Sequence, residues 1–266
     1  MLLLQHLIDQ DGNVNILFLI KFSKSTKKLG KAKVQKDVVK RVLLENGIIM
    51  VAKFLMNLQT HEVNIMQRLK SVSGVAQIVE ASFTIYKNKI CILILLPLYE
   101  QGDLFSVVEF GPCPREFALN VTRQLTNVLF EMHNNFNIAH RDLKLENVFL
   151  DKFGNAFLGD FGFACTLDSD TYFQICGSYS TASPELLNGT SCDPLKNDVF
   201  ALGACLWMIL TCKPIDTLFL QKRGFVYGVS LPVDDDISQL LHNMMLQDSS
   251  RRSSIQDVKL FLSQIS

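Results

Sequence analysis

The sequence predicts an α+β protein of two lobes, a small antiparallel β lobe carrying one helix and a larger, mostly helical lobe. Three observations predict it. Up to about residue 96 the chain is rich in short Val, Ile, Leu and Phe runs bounded by turn residues. From Pro114 onward apolar positions recur at three- and four-residue steps. No internal repeat or low-complexity linker divides the 266 residues, so one domain is expected over 13–265, with a small lobe at 13–96, a connection at 97–102 and a large lobe at 103–265.

The elements follow in order. "NVNILFLIKF" (Asn13 to Phe22), "VVKRVLL" (Val38 to Leu44) and "GIIMVAKFL" (Gly47 to Leu55) read as strands, with "ENG" as the turn between the last two. A helix is predicted over Gln59 to Leu69, where Val63, Met66 and either Ile65 or Leu69 share one side. "QIVEASFTIY" and "KICILILL" predict a hairpin across "KNK". Pro114 to Phe136 predicts a long helix, with Phe117, Val121, Leu125, Val128, Leu129 and Met132 on its apolar face. "NVFLD" and "NAFLGD" are short apolar segments bracketing the turn "KFG". Asp198 to Leu210 is apolar nearly all round, as a buried helix is. Two more helices are predicted over Asp236 to Leu246 and Ile255 to Ile265.

Composition excludes several classes. Apolar residues are 48% and charged residues 20%, and the formal net charge is zero, so nothing global draws the chain to nucleic acid or a membrane. Lys21 to Arg41 is the local exception, with nine Lys/Arg against the single acid Asp37. That run is either a solvated face or a local attraction for phosphate or an acidic partner. The seven cysteines show no CxxC pairs or metal-ligand spacing and suit a reducing compartment, so a cytoplasmic location is expected, with the nucleus also open. "MLLLQHLID" lacks a basic start, and "ICILILLPL" is half the length that crosses a bilayer, so neither a signal peptide nor a membrane span is expected.

The stretch "IAHRDLKLENVFL" places six polar or charged residues ahead of an apolar run. It is either an ordinary loop before a strand or a place where protons and metal ions are handled. "HRDLKLEN", followed thirteen residues after Asn147 by "DFG", resembles the signature order of the eukaryotic protein kinase catalytic domain. The likeness covers about 13–265. Lys144 resembles the Ser/Thr-specific kinases, and "LKLEN" with "DFGFA" loosely resembles the calmodulin-dependent and AMP-activated group.

The resemblance implies roles residue by residue. Asp142 would accept or orient a substrate hydroxyl proton; taken singly it would be a turn or cap residue. Lys144 would neutralise charge on the phosphoryl group in transfer. Asn147 and Asp160 would hold Mg²⁺ through hard oxygen atoms. Lys53 of "MVAK" would contact the α- and β-phosphates of ATP, paired with Glu62 nine residues on. Gly159 stands where a bulkier residue is usual and is expected to loosen the backbone before Asp160. The phosphate-covering loop is expected in "LGKAKVQKD", with Gly30 in the first glycine place but Ala32 and Gln35 in the others. Lys31, Lys33 and Lys36 would partly offset that loss by attracting phosphate.

For the adenine base the resemblance implies a slot enclosed by Val38, Val51 and Phe149, with Leu96 as gatekeeper and the backbone of Pro97 and Tyr99 along the base edge. Asp103 either meets the ribose hydroxyls or caps the helix that starts there. Met66, Phe83, His140 and Phe161 would form an apolar stack between the lobes. Glu185 would pair with Arg252, Asp198 would anchor the loop around His140, and Gly203 would permit close packing. Arg141 would receive an activation-segment phosphate; either Thr171 takes that phosphate from an upstream activating kinase, or none is required. Ser178 would shape the wall where a Ser/Thr acceptor of a protein substrate docks. Two functions follow: an ATP- and Mg²⁺-dependent protein Ser/Thr kinase, or a pseudokinase that binds nucleotide or partners without efficient transfer. A small-molecule kinase is disfavoured by the "SPE" and Arg252 landmarks.

Overall fold

The computed structural model describes residues 37–44, 46–168, 175–190, 193–215 and 235–265. The strand expected at 13–22, the loop with Gly30 and the hydroxyls of Ser169, Thr171 and Tyr172 lie outside the described residues.

In the small lobe, strands β1 (Val38–Leu43), β2 (Ile49–Leu55), β3 (Glu80–Tyr86) and β4 (Lys89–Pro97) form an antiparallel sheet in the order β1-β2-β4-β3. The β3–β4 hairpin turns on Lys87 and Asn88, both at positive φ, the geometry that matches strand twist in a two-residue turn. Helix α1 (His61–Arg68) lies between β2 and β3 in the chain. Its Val63 packs with Leu55, Ile92 and Ile94 of the sheet, while Ile65, Met66 and Leu69 join the core of the large lobe. The helix therefore ties the lobes together, and Ile65 and Leu69 are both buried rather than one of them.

Residue pairing corrects two expectations. Directly opposed residues in an antiparallel pair point to one face. Val38 opposes Phe54 and packs beside Val42, Ala52 and Phe54, whereas Lys53 opposes Val39 and Val51 opposes Arg41. Val38 thus lies on the face away from Lys53 and Val51, and Val39 shares theirs. Phe83 is the second case: it is 68% exposed and contributes nothing to the stack between lobes. On β3 it is Thr84 and Tyr86 that are buried, with Tyr86 stacked on Phe54 at 4.4 Å.

The large lobe begins with β5 (Gly102–Asp103) and α2 (Leu104–Val108), and then α3 (Arg115–Asn134), which Pro114 starts without losing a needed N–H. Short strands β6 (Ile138–Ala139), β7 (Val148–Leu150), β8 (Ala156–Leu158) and β9 (Cys165–Thr166) make two small sheets, β5-β7-β8 and β6-β9. Helices α4 (Pro184–Leu187), α5 (Pro194–Thr211), α6 (Asp235–Met244) and α7 (Ile255–Gln264) complete the described elements. Helix α5 is buried over most of its circumference, and a Cβ at Gly203 would come within 2.7 Å of Met245, so the bare backbone permits that packing. Among the described residues no helix is long and apolar enough to cross a membrane.

Candidate active site

The cleft between the lobes gathers charge from four elements. Lys53 projects from β2, and its Nζ donates to both Glu62 oxygens, at 2.6 and 2.8 Å, and to Asp160 Oδ1 at 2.8 Å. Glu62 sits in the first turn of α1, where a carboxylate also meets the positive end of the helix. Burial alone would lower the Lys53 pKa, but the carboxylates of Asp160 and Glu62 outweigh it and raise the ammonium above its ordinary value. Asp160 is held below the usual carboxylate range: burial opposes this, and Lys53, with smaller help from His140 and Lys144, prevails. Both groups are therefore charged at neutral pH.

Asp160 has φ +59°, a left-handed backbone that carries the next residue, Phe161, into full burial against the His140 ring at 5.0 Å. Its carboxylate remains 46% exposed to the cleft. Gly159 does not loosen this turn. Its N–H donates to Asn147 O at 2.9 Å, and its carbonyl accepts from His140 Nε2 at 3.1 Å.

Asp142 is placed from below. Asp198, wholly buried in the first turns of α5, accepts the backbone N–H groups of His140 and Arg141, each at 2.8 Å, and His133 Nε2 at 2.9 Å. Those bonds hold Arg141 at φ +65°, a strained conformation for a residue with a side chain. The turn delivers Asp142, whose Oδ2 accepts from Lys144 Nζ at 2.8 Å and Asn147 Nδ2 at 3.2 Å, while Oδ1 accepts from Ser178 Oγ at 2.7 Å. Lys144 also donates to Ser178 Oγ at 2.8 Å. Asn147 turns its amide nitrogen to the Asp142 backbone and side chain, which directs its oxygen the other way.

The upper faces of β7 and β8 carry Phe149 and Phe157, which are cross-strand partners; the Tyr99 ring stacks on Phe149 at 5.7 Å and lies tilted against Phe157 at 4.6 Å. Burial pushes the Tyr99 hydroxyl up to about 12, against a bond from the Gln77 backbone. Across the cleft, half-buried Val51 opposes Leu96 on β4, and Met50 opposes Pro97. Asp103 caps α2, accepting from Ser106 N at 2.8 Å and Ser106 Oγ at 2.9 Å.

Sequence reasoning missed three participants. The sequence points to the Tyr99 backbone, whereas its ring packs on Phe149. It points to Val38, whereas Val39 shares the face of Lys53. His61 Nε2 lies 2.6 Å from the carbonyl of Ala164 and so ties α1 to the chain just past Phe161. No side-chain pattern signals that last contact, because its acceptor is a backbone group. Arg141 Nε likewise donates to Phe163 O at 2.7 Å.

Cys176, beside this cluster, has its thiol pushed up to about 11 by burial, in spite of the Arg141 guanidinium. At pH 8 the reactive thiolate should be scarce, and native alkylation should run about a hundredfold slower than at an ordinary exposed cysteine of pKa about 8.5. Peptide mass spectrometry after timed iodoacetamide exposure checks this; a rate equal to that in urea would contradict it.

A family model described as protein kinase domain matches residues 21–260. Human (Homo sapiens) testis-specific serine/threonine-protein kinase 3 is 32% identical over 219 residues, 77% of this chain and 79% of that protein. Human serine/threonine-protein kinase Nek2 is 32% identical over 215 residues, 74% of this chain and 47% of its own length. Probable serine/threonine-protein kinase KCC4 of Saccharomyces cerevisiae is 30% identical over 188 residues, 66% of this chain but only 18% of the yeast protein.

Proposed function

This chain belongs to the protein kinase domain family, and we propose that it transfers the terminal phosphoryl group of Mg·ATP to serine or threonine hydroxyls of protein substrates. The observation that carries the reading is the cleft in which Lys53 joins Glu62 to Asp160 while Asp142 lies in a ring of Lys144, Asn147 and Ser178. Asp142 Oδ1 accepts a hydrogen bond from the Ser178 hydroxyl at 2.7 Å, which is the bond an acceptor serine or threonine would make. Lys144 stands beside it to offset charge on the group in transfer, and Lys53, locked by two carboxylates, would meet the inner phosphates.

Asn147 and Asp160 would supply the protein oxygen atoms for Mg²⁺. Among the described residues no group of three or more His, Cys, Asp or Glu side chains could hold a metal alone. Magnesium keeps water and takes phosphate oxygens alongside one or two protein ligands, the number that Asn147 and Asp160 would provide. Bound there, the ion would neutralise phosphate charge. Val51, Leu96 and Phe149 offer an apolar slot for the base, now with Val39 rather than Val38 on the upper face.

Transfer of labelled phosphate from Mg·ATP to a basic protein, followed by phosphoamino-acid analysis, tests the proposal; label on serine or threonine is expected. Folded protein that transfers nothing at millimolar Mg·ATP would favour the pseudokinase reading, which rests on the two absent glycines of "LGKAKVQKD". Glu62→Gln should lower the transfer rate about tenfold or more, since charge-assisted bonds contribute about 1.5–3 kcal/mol each. The check is initial rate together with melting temperature, and an unchanged rate would remove the ion pair from the mechanism.

A further inference from the structure

We propose that Phe149 and Gly159 are a size-complementary pair: the absent side chain at 159 makes room for an aromatic ring that forms the floor of the base slot. This rests on the nucleotide-binding reading above and adds to it a positioning residue, Gly159.

The crowding is specific. A Cβ on Gly159 would lie 2.7 Å from Phe149 Cε2, 3.3 Å from Phe149 Cδ2 and 3.3 Å from the Ala76 methyl. The first distance is below any ordinary carbon–carbon contact. Gly159 has no positive φ to require glycine, so its need for glycine comes from space and not from backbone conformation. The ring cannot swing aside cheaply. Tyr99 lies nearly parallel to it, at 11° and 5.7 Å, and is itself packed at a 33° tilt, 4.6 Å from Phe157, the cross-strand partner of Phe149.

Ala76 closes the other side, fixed by its N–H bond to Leu158 O at 2.8 Å. Val148 and Leu150 on either side of Phe149 point down into the core, so the strand presents only Phe149 to the cleft. A flat apolar ring at that place suits the face of a heteroaromatic base. Stacking adds attraction that an aliphatic side chain of similar size does not supply.

The test is a double-mutant cycle of Gly159→Thr, Phe149→Leu and the double variant, measured on the full chain. Melting temperature without ligand reads the packing, and affinities for Mg·ADP and for magnesium tripolyphosphate, which has phosphates but no base, read the floor. Gly159→Thr alone should lower the melting temperature by about 3–10 °C. The double variant should recover most of that loss, because leucine vacates the space threonine needs. Phe149→Leu should weaken Mg·ADP about three- to tenfold and leave tripolyphosphate within about twofold.

Gly159→Thr that melts like the parent, or a double variant no more stable than Gly159→Thr, would overturn the pairing. Equal losses for both ligands with Phe149→Leu would overturn the floor. Parent protein that binds tripolyphosphate but not Mg·ADP would also overturn the floor. Parent protein that binds neither would refute the nucleotide-binding reading itself, and the floor with it. The thermal cycle would still decide the pairing.

Discussion

Asp142→Asn should reduce phosphoryl transfer by about 10²–10⁴-fold, the range that a positioned proton acceptor contributes. The side chain is only 3% exposed as a residue and accepts from three partners, Lys144, Asn147 and Ser178. Asparagine keeps the volume but cannot take a proton, and one of its two terminal atoms becomes a donor. Facing Ser178, that donor reverses the existing bond, because a hydroxyl can also accept; facing the other way, it meets the donors of Lys144 and Asn147 and both of those bonds are lost. Nucleotide affinity should change by less than about threefold, because Lys53 and Phe149 contact neither side-chain oxygen of Asp142. Initial rates at saturating Mg·ATP, set beside Mg·ADP affinity, separate the two effects. A variant that keeps a tenth of the parent rate would take Asp142 out of the proposed role.

The order of elements was legible because it rests on periodicity. The apolar face of α3 is written at helical spacing, the run that is apolar all round marks α5 as buried, and Lys53 with Glu62 can be found by counting from a strand to a helix. What was not legible rests on register and on space. One residue of slip between β1 and β2 moves every side chain to the opposite face, and nothing in "VVKRVLL" says which valine opposes Lys53. On β3 hydrophobicity misleads outright: the polar hydroxyl of Thr84 is buried while Phe83 and Ile85 face solvent. Gly159 illustrates space. From the sequence it reads as a loosening of the chain, yet its backbone is bonded on both sides and its missing side chain is filled by a residue ten positions earlier. The site was therefore legible as a set of charged residues, but its aromatic floor was not. Charge spacing survives in one dimension, and ring packing does not.

Arg252→Ala should be the most destabilising single change outside the cleft. Arg252 is 1% exposed, and its guanidinium makes a two-pronged contact with Glu185 at 2.6 and 2.9 Å. It also donates to the carbonyls of Leu246 at 3.0 and 2.9 Å and of Lys196 at 3.1 Å, and it lies over the Phe200 ring. The contacts link the residues ahead of α7 to α4 and α5, elements far apart in sequence. A buried pair so completely bonded contributes specificity more than net stability, but removing one member leaves the other charge without compensation. Truncation should therefore cost about 3–5 kcal/mol, seen as a fall in melting temperature of about 10 °C. Arg252→Lys should recover little, since an ammonium cannot span two carboxylate oxygens and two carbonyls at once. Replacing both partners, Glu185→Leu with Arg252→Met, should lie closer to the parent than Arg252→Ala does. If the double replacement were instead the less stable of the two, the penalty would come from lost bonds and packing and not from the stranded carboxylate.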